Sequence, residues 1–296
     1  MVRVMTRQLA LAAGMAWLAG CGGNTTTGPT PTPPSSAVVL VGAGDIALCD
    51  DLTAAEATAK LLDATSGAVY TTGDNVYYTG TLENFRRCYD PTWGRHVTRT
   101  RPTPGNHEYS EPGAAGYFAY FGSNAGPDDL GYYSYDLGAW HIIALNNYVP
   151  AGPGSAQLDW LAGDLSDNPA PCILAYWHHP LFSSGPNGPG PKMQDVWRLL
   201  YAHGVEIVLN GHDHLYERFG LQDPDGRPDP TRGIRQFTVG TGGAPLYPFV
   251  RISPNSEVRA SFYGVLKLAL RAGAYSWEFM SIAGQSFHDA GTGTCH

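Results

Sequence analysis

The chain has 296 residues, of which 43% are hydrophobic and 15% are charged. This length and composition support a globular core in one large domain or two small ones. The formal net charge of −8 argues against a protein that follows the phosphate backbone of nucleic acid, because such affinity depends on clustered Lys and Arg. We therefore expect no nucleic-acid-binding surface.

The first residues predict an export signal. Arg3 and Arg7 precede an apolar stretch that is too short to span a bilayer. Leu18–Cys21 resembles the bacterial lipobox, which implies a signal peptide over residues 1–20, lipid on Cys21 and a membrane anchor that consists of lipid alone. The alternative is an ordinary cleaved signal peptide with a chance cysteine. We expect an exported bacterial lipoprotein that faces the periplasm or the cell exterior.

Residues 21–36 are predicted to form a tether. They are rich in Thr, Pro, Ser and Gly and have no apolar period, which favours an extended chain rather than part of a fold. No convincing boundary follows. Residues 37–296 are therefore predicted to form one α/β domain with two sheets and helices outside them.

The first part of this domain is predicted to alternate strands and helices. Apolar runs at residues 38–41 and 68–72 have the length of strands that are buried on both faces. Between them, a helix is predicted to begin at the N-cap Thr53, with Glu56 completing a capping box. A second helix is predicted over residues 81–89.

The remaining part is predicted to contain further strands and helices. An antiparallel pair is expected to turn at Gly138 and Ala139. The predicted strands cover residues 132–137, 140–146, 173–177, 205–209, 235–239, 261–270 and 274–281, and the predicted helices cover residues 155–165 and 192–203.

Polar side chains follow several of these strands or lie at strand-to-loop junctions. Because ligands collect beyond the carboxyl ends of strands in open α/β sheets, these side chains are expected to converge in one crevice. Carboxylate, amide oxygen and imidazole together form a ligand set for divalent or trivalent transition ions. The side chains are Asp45, Asp74, Asn106, His107, His178, His212 and His214.

The five blocks that carry these residues resemble the motifs of the calcineurin-like metallophosphoesterase superfamily, and within it those of the purple acid phosphatase-like branch. The resemblance spans roughly residues 38–217. It implies a four-layer α/β sandwich in which two mixed β-sheets pack together and are flanked by helices. It also implies a phosphoric ester hydrolase with a binuclear metal centre.

The resemblance assigns the ligands residue by residue. Asp74 matches the carboxylate that bridges both metals. Asp45 and His214 match ligands of the first metal, whereas Asn106, His178 and His212 match ligands of the second. Because His212 and His214 lie two residues apart, both imidazoles should project to one side of an extended segment. Asp213 between them should point away.

One ligand position departs from many relatives, which have a histidine where this chain has Ala47. The purple acid phosphatase pattern instead supplies a tyrosine three residues after the bridging aspartate, and Tyr77 matches it. A phenolate is a hard, anionic ligand that favours a trivalent ion. The expected cofactors are therefore iron(III) and a divalent ion (Fe, Zn or Mn). The alternative is that Tyr77 packs in the wall while Tyr78 or water completes the coordination shell.

Three further side chains are expected near the substrate. Relatives place a ligand two residues before a proline, and Pro180 selects His178 over His179. Because adjacent residues on a strand face opposite sides, His179 is expected beside the site, either facing substrate or hydrogen-bonded in a wall. The resemblance implies that His107 assists the leaving group as a proton donor or as a positive partner of the phosphoryl oxygens. Asn106 is a second candidate substrate contact.

Four cysteines follow Cys21, an even number that suits an oxidising compartment, and they allow three pairings. We favour Cys49 with Cys88, because both lie in segments just after the first two ligand turns. Cys172 with Cys295 would then tie the chain end to a strand. The alternative is free, buried thiols.

These patterns predict an exported enzyme that hydrolyses a small-molecule phosphate ester with a metal-activated hydroxide. A phosphomonoesterase is the first choice, because a monoesterase needs an open site and no groove that reads bases. A phosphodiesterase or nucleotidase on the same metal core is the alternative enzyme. The alternative of another class is a surface binding lipoprotein on an inactive enzyme scaffold.

Overall fold

Two large β-sheets carry the fold, and the computed structural model describes them within residues 36–296. The predicted signal peptide, Cys21 and nearly all of the predicted tether lie outside the described residues. Within residues 36–296, none of the helices combines the length and the hydrophobicity that a membrane span requires.

The strands are short, and most of them belong to one of the two large sheets. In chain order they are β1 (Val38–Ala43), β2 (Ala47–Leu48), β3 (Ala68–Thr72), β4 (Val76–Tyr77), β5 (Thr100–Thr103), β6 (Tyr133–Leu137), β7 (Trp140–Ala144), β8 (Ile173–Tyr176), β9 (Ile207–Asn210), β10 (Tyr216–Phe219), β11 (Arg235–Val239), β12 (Ser256–Ala260), β13 (Gly264–Arg271), β14 (Ala274–Ser281) and β15 (His288–Thr294).

The first sheet has the strand order β15-β14-β13-β1-β3-β5, and the second has the order β12-β10-β11-β9-β8-β7-β6. Both sheets are mixed. In the first, β1, β3 and β5 run parallel while β13 pairs antiparallel with β1. In the second, β7, β8, β9 and β11 run parallel while the outer strands are antiparallel. The strands β2 and β4 form a small separate pair.

Helices and shorter helical turns connect the strands. The α-helices are α1 (Thr53–Asp63), α2 (Leu82–Asn84), α3 (Ala115–Phe121), α4 (Ala156–Asp167) and α5 (Gln194–Ala202). A π-helical turn, Phe85–Tyr89, continues α2, and 3₁₀ turns lie at Trp93–Arg99, Pro112–Ala114, Gly122–Ala125, Pro127–Asp129 and Pro191–Met193. The predicted fold class, two mixed sheets with helices, is confirmed.

The second sheet is covered on both faces, which explains its continuous apolar runs. Alternate side chains of its central strands enter different cores. Leu174 and Leu209 lie in the core that also contains residues of the first sheet. Ala175 and Val208 lie in a second core, together with Trp197 of α5. Every residue of β7, β8 and β9 is therefore buried.

The predicted capping box of α1 is wrong. Thr53 is the first helical residue, and Leu52 occupies the N-cap without a side-chain hydrogen bond. The carboxylate of Asp51 accepts the backbone N–H of Thr53 at 2.9 Å instead. The carboxylate of Glu56 pairs with Arg95 at 2.7 Å, so it does not reach back to the start of the helix.

Six strands lie outside the predicted elements because none of them contains an apolar run of strand length, namely the two-residue strands β2 and β4 and the longer strands β5, β10, β12 and β15. The last of these forms an edge on small residues. Gly291 and Gly293 lie directly against the rings of Trp277 and Tyr275 in β14, where any side chain would collide. The rings of the neighbouring strand thus cover the glycines, and the sequence of β15 itself carries no signal of a strand.

The structure contains the disulfides Cys49–Cys88 and Cys172–Cys295, which is the pairing favoured above. The first of them follows directly on the small parallel pair of β2 and β4, in which Leu48 lies opposite Tyr77. This bridge therefore ties β2, the strand that pairs with the segment of Tyr77, to the π-helical turn that contains Cys88.

Candidate metal centre

The predicted ligands lie together at one end of both sheets, just beyond the carboxyl ends of parallel strands. Four of them stand two residues after a strand and one stands three residues after a strand. Because the strands of each set run in the same direction, their carboxyl ends meet at one edge. The pairs of strand and ligand are β1 with Asp45, β3 with Asp74, β5 with Asn106, β8 with His178 and β9 with His212.

Three of these residues adopt a left-handed backbone conformation. The φ angles are +60° at Asp45, +50° at Asp74 and +69° at His212. Such angles are unfavourable for residues other than glycine, and they occur where a strand must turn abruptly toward a site. The extended conformation expected for the segment from His212 to His214 is therefore wrong, although both rings face the same crevice.

The first group of donor atoms surrounds the hydroxyl of Tyr77. This oxygen lies 2.9 Å from Oδ1 of Asp45, 3.1 Å from Oδ2 of Asp74 and 3.0 Å from Nε2 of His214. Nε2 of His214 also lies 3.3 Å from Oδ1 of Asp45. Burial, first of all, and the two carboxylates raise the pKa of Tyr77 well above its usual value of 10, so the phenol keeps its proton unless a cation takes its place.

The second group of donor atoms surrounds Nε2 of His178. This nitrogen lies 3.0 Å from Oδ1 of Asn106, 3.2 Å from Oδ2 of Asp74 and 3.2 Å from Nδ1 of His212. Asp74 therefore belongs to both groups through the same oxygen. Burial and the neighbouring His178 together lower the pKa of His212 to about 2, so its ring is neutral.

Backbone carbonyls fix the orientation of two of these imidazoles. Nδ1 of His178 lies 2.7 Å from the carbonyl oxygen of Thr72, and Nδ1 of His214 lies 2.8 Å from that of Pro245. A carbonyl can only accept a hydrogen bond, so each Nδ1 carries the proton. In a neutral ring the lone pair then resides on Nε2, the atom that faces the crevice.

The residues fit a pair of cations. Nε2 of His178 faces two oxygens that are hydrogen-bond acceptors, a position that suits either a proton on Nε2 or a cation among the three atoms. The groups Asp45–Asp74–His178 and His178–His179–His212 each bring their ligand atoms within 4.8 Å of one another. One cation would be held by Asp45, Asp74, Tyr77 and His214, and the other by Asp74, Asn106, His178 and His212.

Glu108 is a buried carboxylate that connects two of the ligand turns. It accepts the backbone N–H groups of Gly105 at 2.7 Å, Asp74 at 3.0 Å and Asn75 at 2.8 Å. Burial and the nearby Asp74 carboxylate raise its pKa, whereas these backbone donors favour the charged form. The sequence left the role of Glu108 open, because only the fold brings the turn after β3 to the turn after β5.

His107 lies at the mouth of the crevice. Its Nδ1 is 2.6 Å from the carbonyl oxygen of Tyr78 and therefore carries a proton. Its Nε2 points inward and lies 3.8 Å from Oδ2 of Asp74, and its backbone N–H donates to Oδ1 of Asp74 at 2.9 Å. With 26% of its side chain exposed, His107 is accessible to a bound ester.

His179 lies beside the site, as expected, but the alternation of a strand is not the reason. Strand β8 ends at Tyr176, so the alternation of a strand does not extend to either histidine. The His179 ring stacks on His212 with centroids 3.7 Å apart, and its Nε2 lies 2.6 Å from the hydroxyl of Tyr148. Burial and the positive charge of His178 lower the pKa of His179 to about 4. His179 is thus a hydrogen-bonded wall residue at the edge of the donor set.

Asp213 points away from the centre, as expected. Its buried carboxylate accepts the hydroxyl of Ser183 and, at 3.0 Å, the backbone N–H of Asn187. The carboxylate therefore holds the loop around Asn187 against the turn that carries His212 and His214.

Residues 41–216 match the family model of the calcineurin-like phosphoesterases. The chain is similar to Purple acid phosphatase 21 of Arabidopsis thaliana, with 29% identity across 93% of this chain and 69% of the relative. All of the predicted metal ligands fall within the residues that the family model matches.

Solved structures share the fold at lower identity. A purple acid phosphatase from yellow lupin (Lupinus luteus) superposes with a TM-score of 0.69 and 18% identity, covering 87% of this chain and 54% of that one. GAP50, described as the anchor in the inner membrane complex of Plasmodium, superposes with a TM-score of 0.63 and 14% identity, covering 88% of this chain and 90% of that one. The chain thus spans about half the length of the lupin protein.

The contacts of Glu108 generate a prediction about metal affinity. In Glu108→Gln, an amide donor replaces one acceptor oxygen opposite backbone N–H groups, so the two ligand turns should separate slightly. Affinity for the metals should fall roughly 10- to 100-fold while the fold is retained. Metal retention against increasing chelator, with circular dichroism as the check on folding, measures this. The exposed Glu83→Gln is the matched control, and unchanged metal retention in Glu108→Gln would refute the positioning role.

Proposed function

The chain belongs to the calcineurin-like phosphoesterase family, and from that premise we propose that it is an exported, metal-dependent phosphohydrolase whose substrates are small phosphate monoesters. The observation that carries the proposal is the convergence of six donor side chains around the shared carboxylate of Asp74. Similarity to purple acid phosphatases supports it.

The proposed cofactors are iron(III) in the group around Tyr77 and a divalent ion (Fe, Zn or Mn) in the group around His178. Tyr77 supports this assignment, because its hydroxyl lies within 3.1 Å of both carboxylates and a phenolate is a hard, anionic ligand. When bound, such a pair of cations makes hydroxide available near neutral pH and neutralises charge on the phosphoryl oxygens.

The proposed role of His107 is to protonate the leaving alcohol. Its Nδ1 proton is engaged by the carbonyl of Tyr78, so only Nε2 can deliver a proton into the crevice. Its ring is held over Tyr77, with centroids 4.2 Å apart, which limits its rotation. Proton transfer of this kind contributes about 10²–10⁴-fold to the rate.

Asn106 and His179 are the proposed contacts of the phosphoryl group. Both border Nε2 of His178, on the side of the crevice opposite Tyr77. The hydrogen bond between Nε2 of His179 and the hydroxyl of Tyr148 holds the ring of His179 in place beside the site.

The proposed location is outside the cytoplasm, with lipid on Cys21 as the anchor. The motif at Leu18–Cys21 supports this. The two disulfides give independent support, because structural disulfides persist in oxidising compartments.

The donor set, rather than the fold, favours an enzyme over a binding protein. The fold also occurs in GAP50, whose description names it an anchor, so the architecture by itself does not decide between the two. A scaffold would need neither the shared carboxylate nor three imidazoles in the donor groups around it. The surface-binding alternative requires a protein without metal and without hydrolysis.

Asp74→Asn tests the shared carboxylate. The amide is neutral, so its oxygen binds cations far more weakly than the carboxylate oxygen that both donor groups share, and the variant should lose both metals and nearly all turnover. Elemental analysis and the hydrolysis rate of 4-nitrophenyl phosphate measure this, and the exposed Asp159→Asn serves as the control. A variant that keeps both its metals and its rate would refute the assignment.

The visible spectrum tests the metal assignment. Protein with iron(III) bound to Tyr77 should be violet because of charge transfer from phenolate to iron, and Tyr77→Phe should bleach it. The neighbouring Tyr78→Phe should stay violet, since that side chain is 61% exposed and outside the donor set. Active, colourless wild-type protein with two divalent ions would rule out iron bound to Tyr77 without affecting the fold.

Two esters separate the alternative functions. We expect faster hydrolysis of 4-nitrophenyl phosphate than of bis(4-nitrophenyl) phosphate, because the described residues form an open crevice without a basic groove for a second esterified group. The reverse order would favour the phosphodiesterase. Hydrolysis of neither ester by metal-loaded protein would favour the surface-binding alternative.

A further inference from the structure

A small cleft adjoins the metal centre on the side of Tyr77. It encloses about 270 Å³ and is lined by Leu48, Tyr78, Pro245 and Tyr247, with His107 and His214 at its base. The four residues of the walls take no part in the donor set described above. We call this space the tyrosine cleft.

The walls of the tyrosine cleft are held by the centre itself. The ring of Tyr247 stacks on His214, with centroids 4.0 Å apart and planes 10° apart, and its backbone N–H donates to the His214 carbonyl at 2.8 Å. The carbonyl of Tyr78 accepts the Nδ1 proton of His107 at 2.6 Å. Both tyrosines are therefore set in position by residues of the site.

The side chain of Tyr78 contacts the ring of Tyr77 edge to face, with centroids 6.4 Å apart, but most of it is uncovered. It is 61% exposed, and it is one of only four large hydrophobic side chains that are exposed within the described residues. A large aromatic ring beside a buried centre leaves its apolar surface exposed to water unless a ligand covers it. Its position opposite Tyr247 suits a ligand between the two walls.

We propose that the tyrosine cleft receives the alcohol part of the ester, and that this part is a single, uncharged aromatic ring. The preferred substrates would then be phosphate monoesters of phenol-type alcohols. This inference rests on the proposed function and adds the substrate class to it.

The position of His107 decides which part of the substrate enters the cleft. His107 lies at the base of the cleft and is also the proposed proton donor to the leaving oxygen. The leaving alcohol is bonded to that oxygen, so it must extend from the centre past His107. The phosphoryl group stays on the side of Asn106 and His178.

The lining decides the chemistry of that alcohol. Among the described residues, no Asp, Glu, Lys or Arg lines the cleft, so it offers no partner to a second phosphate, a carboxylate or an ammonium group. The rings of Tyr78 and Tyr247 instead offer faces and edges to another ring. A volume of about 270 Å³ lies just below the roughly 300–1,000 Å³ of sites for larger ligands, which suits one ring rather than several.

The opposite side of the centre differs in character. There His179 is hydrogen-bonded to Tyr148, and the ammonium group of Lys192 lies over the Tyr148 ring at 5.9 Å from its centroid. A cation on that side suits the anionic phosphoryl group, whereas the tyrosine cleft suits its neutral substituent. The two sides therefore orient the ester in one direction.

The experiment compares phenyl phosphate with propyl phosphate in the wild type, Tyr78→Leu and Tyr247→Leu. Removing a ring should lower kcat/KM for the phenyl ester about 3- to 10-fold, the usual worth of an aromatic pair, and leave the propyl ester within about twofold. The ratio of the two values decides, because a change in metal binding affects both esters equally. Tyr201→Leu, in α5 before the start of β9 and so away from the centre, is the matched control.

A binding measurement supports the kinetic one. Phenylphosphonate and propylphosphonate cannot be hydrolysed. The inhibition constant of phenylphosphonate divided by that of propylphosphonate should rise by the same factor in Tyr78→Leu, because only the phenyl compound loses a contact. Unchanged ratios of kcat/KM and of inhibition constants in both variants would overturn the substrate class while leaving the phosphohydrolase intact. Hydrolysis of neither ester by the metal-loaded wild type would overturn the proposed function, and this inference with it.

Discussion

The carboxylate of Asp74 is the group on which the two halves of the site depend. It is 1% exposed, and every contact it makes replaces water that a free carboxylate would bind. Oδ2 lies against Tyr77 on one side and His178 on the other, while Oδ1 accepts the backbone N–H of His107. An aspartate so placed brings the turns after β3, β4, β5 and β8 to a single point.

This arrangement needs a rigid frame, because several of its parts are unfavourable alone. Asp45, Asp74 and His212 hold left-handed backbone conformations, and their neighbours maintain them. Asp45 accepts the backbone N–H of His212 at 2.8 Å, which links a turn of the first sheet to a turn of the second. Glu108 links two turns of the first sheet in the same manner. Burial of the core between the sheets offsets the free-energy cost of these backbone conformations.

The centre also organises the space around it. His214 is oriented by the Pro245 carbonyl and in turn supports the ring of Tyr247, and His107 is oriented by the carbonyl of Tyr78. The groups that hold the ligands are thus continuous with the walls of the tyrosine cleft. The proposed metal site and the proposed specificity site share one set of hydrogen bonds. Effects on the two sites are therefore distinguished by the ratio of kcat/KM for two substrates and not by a single rate.

Local features of the chain predicted the apolar strands and the chemical types of the donors. Apolar runs such as residues 173–177, and a polar residue just after a strand, are local properties of the chain. Resemblance to a known family then assigned Asp74 and the other donors to two metals. The capping box of α1, which was predicted wrongly, is also a local feature. It depends on which of several neighbouring oxygens accepts the first free backbone N–H of the helix.

The contacts that join distant segments become visible only in the tertiary structure. The bonds of Glu108 to Asp74, the stacking of His179 on His212, and β15 covered by Trp277 all depend on residues that are far apart in sequence. Leu48 and Tyr247 likewise line the same cleft only in the folded chain. The sequence specifies the type of each side chain directly. The direction in which a side chain points beyond the end of a strand depends instead on the residues that surround it in the folded protein.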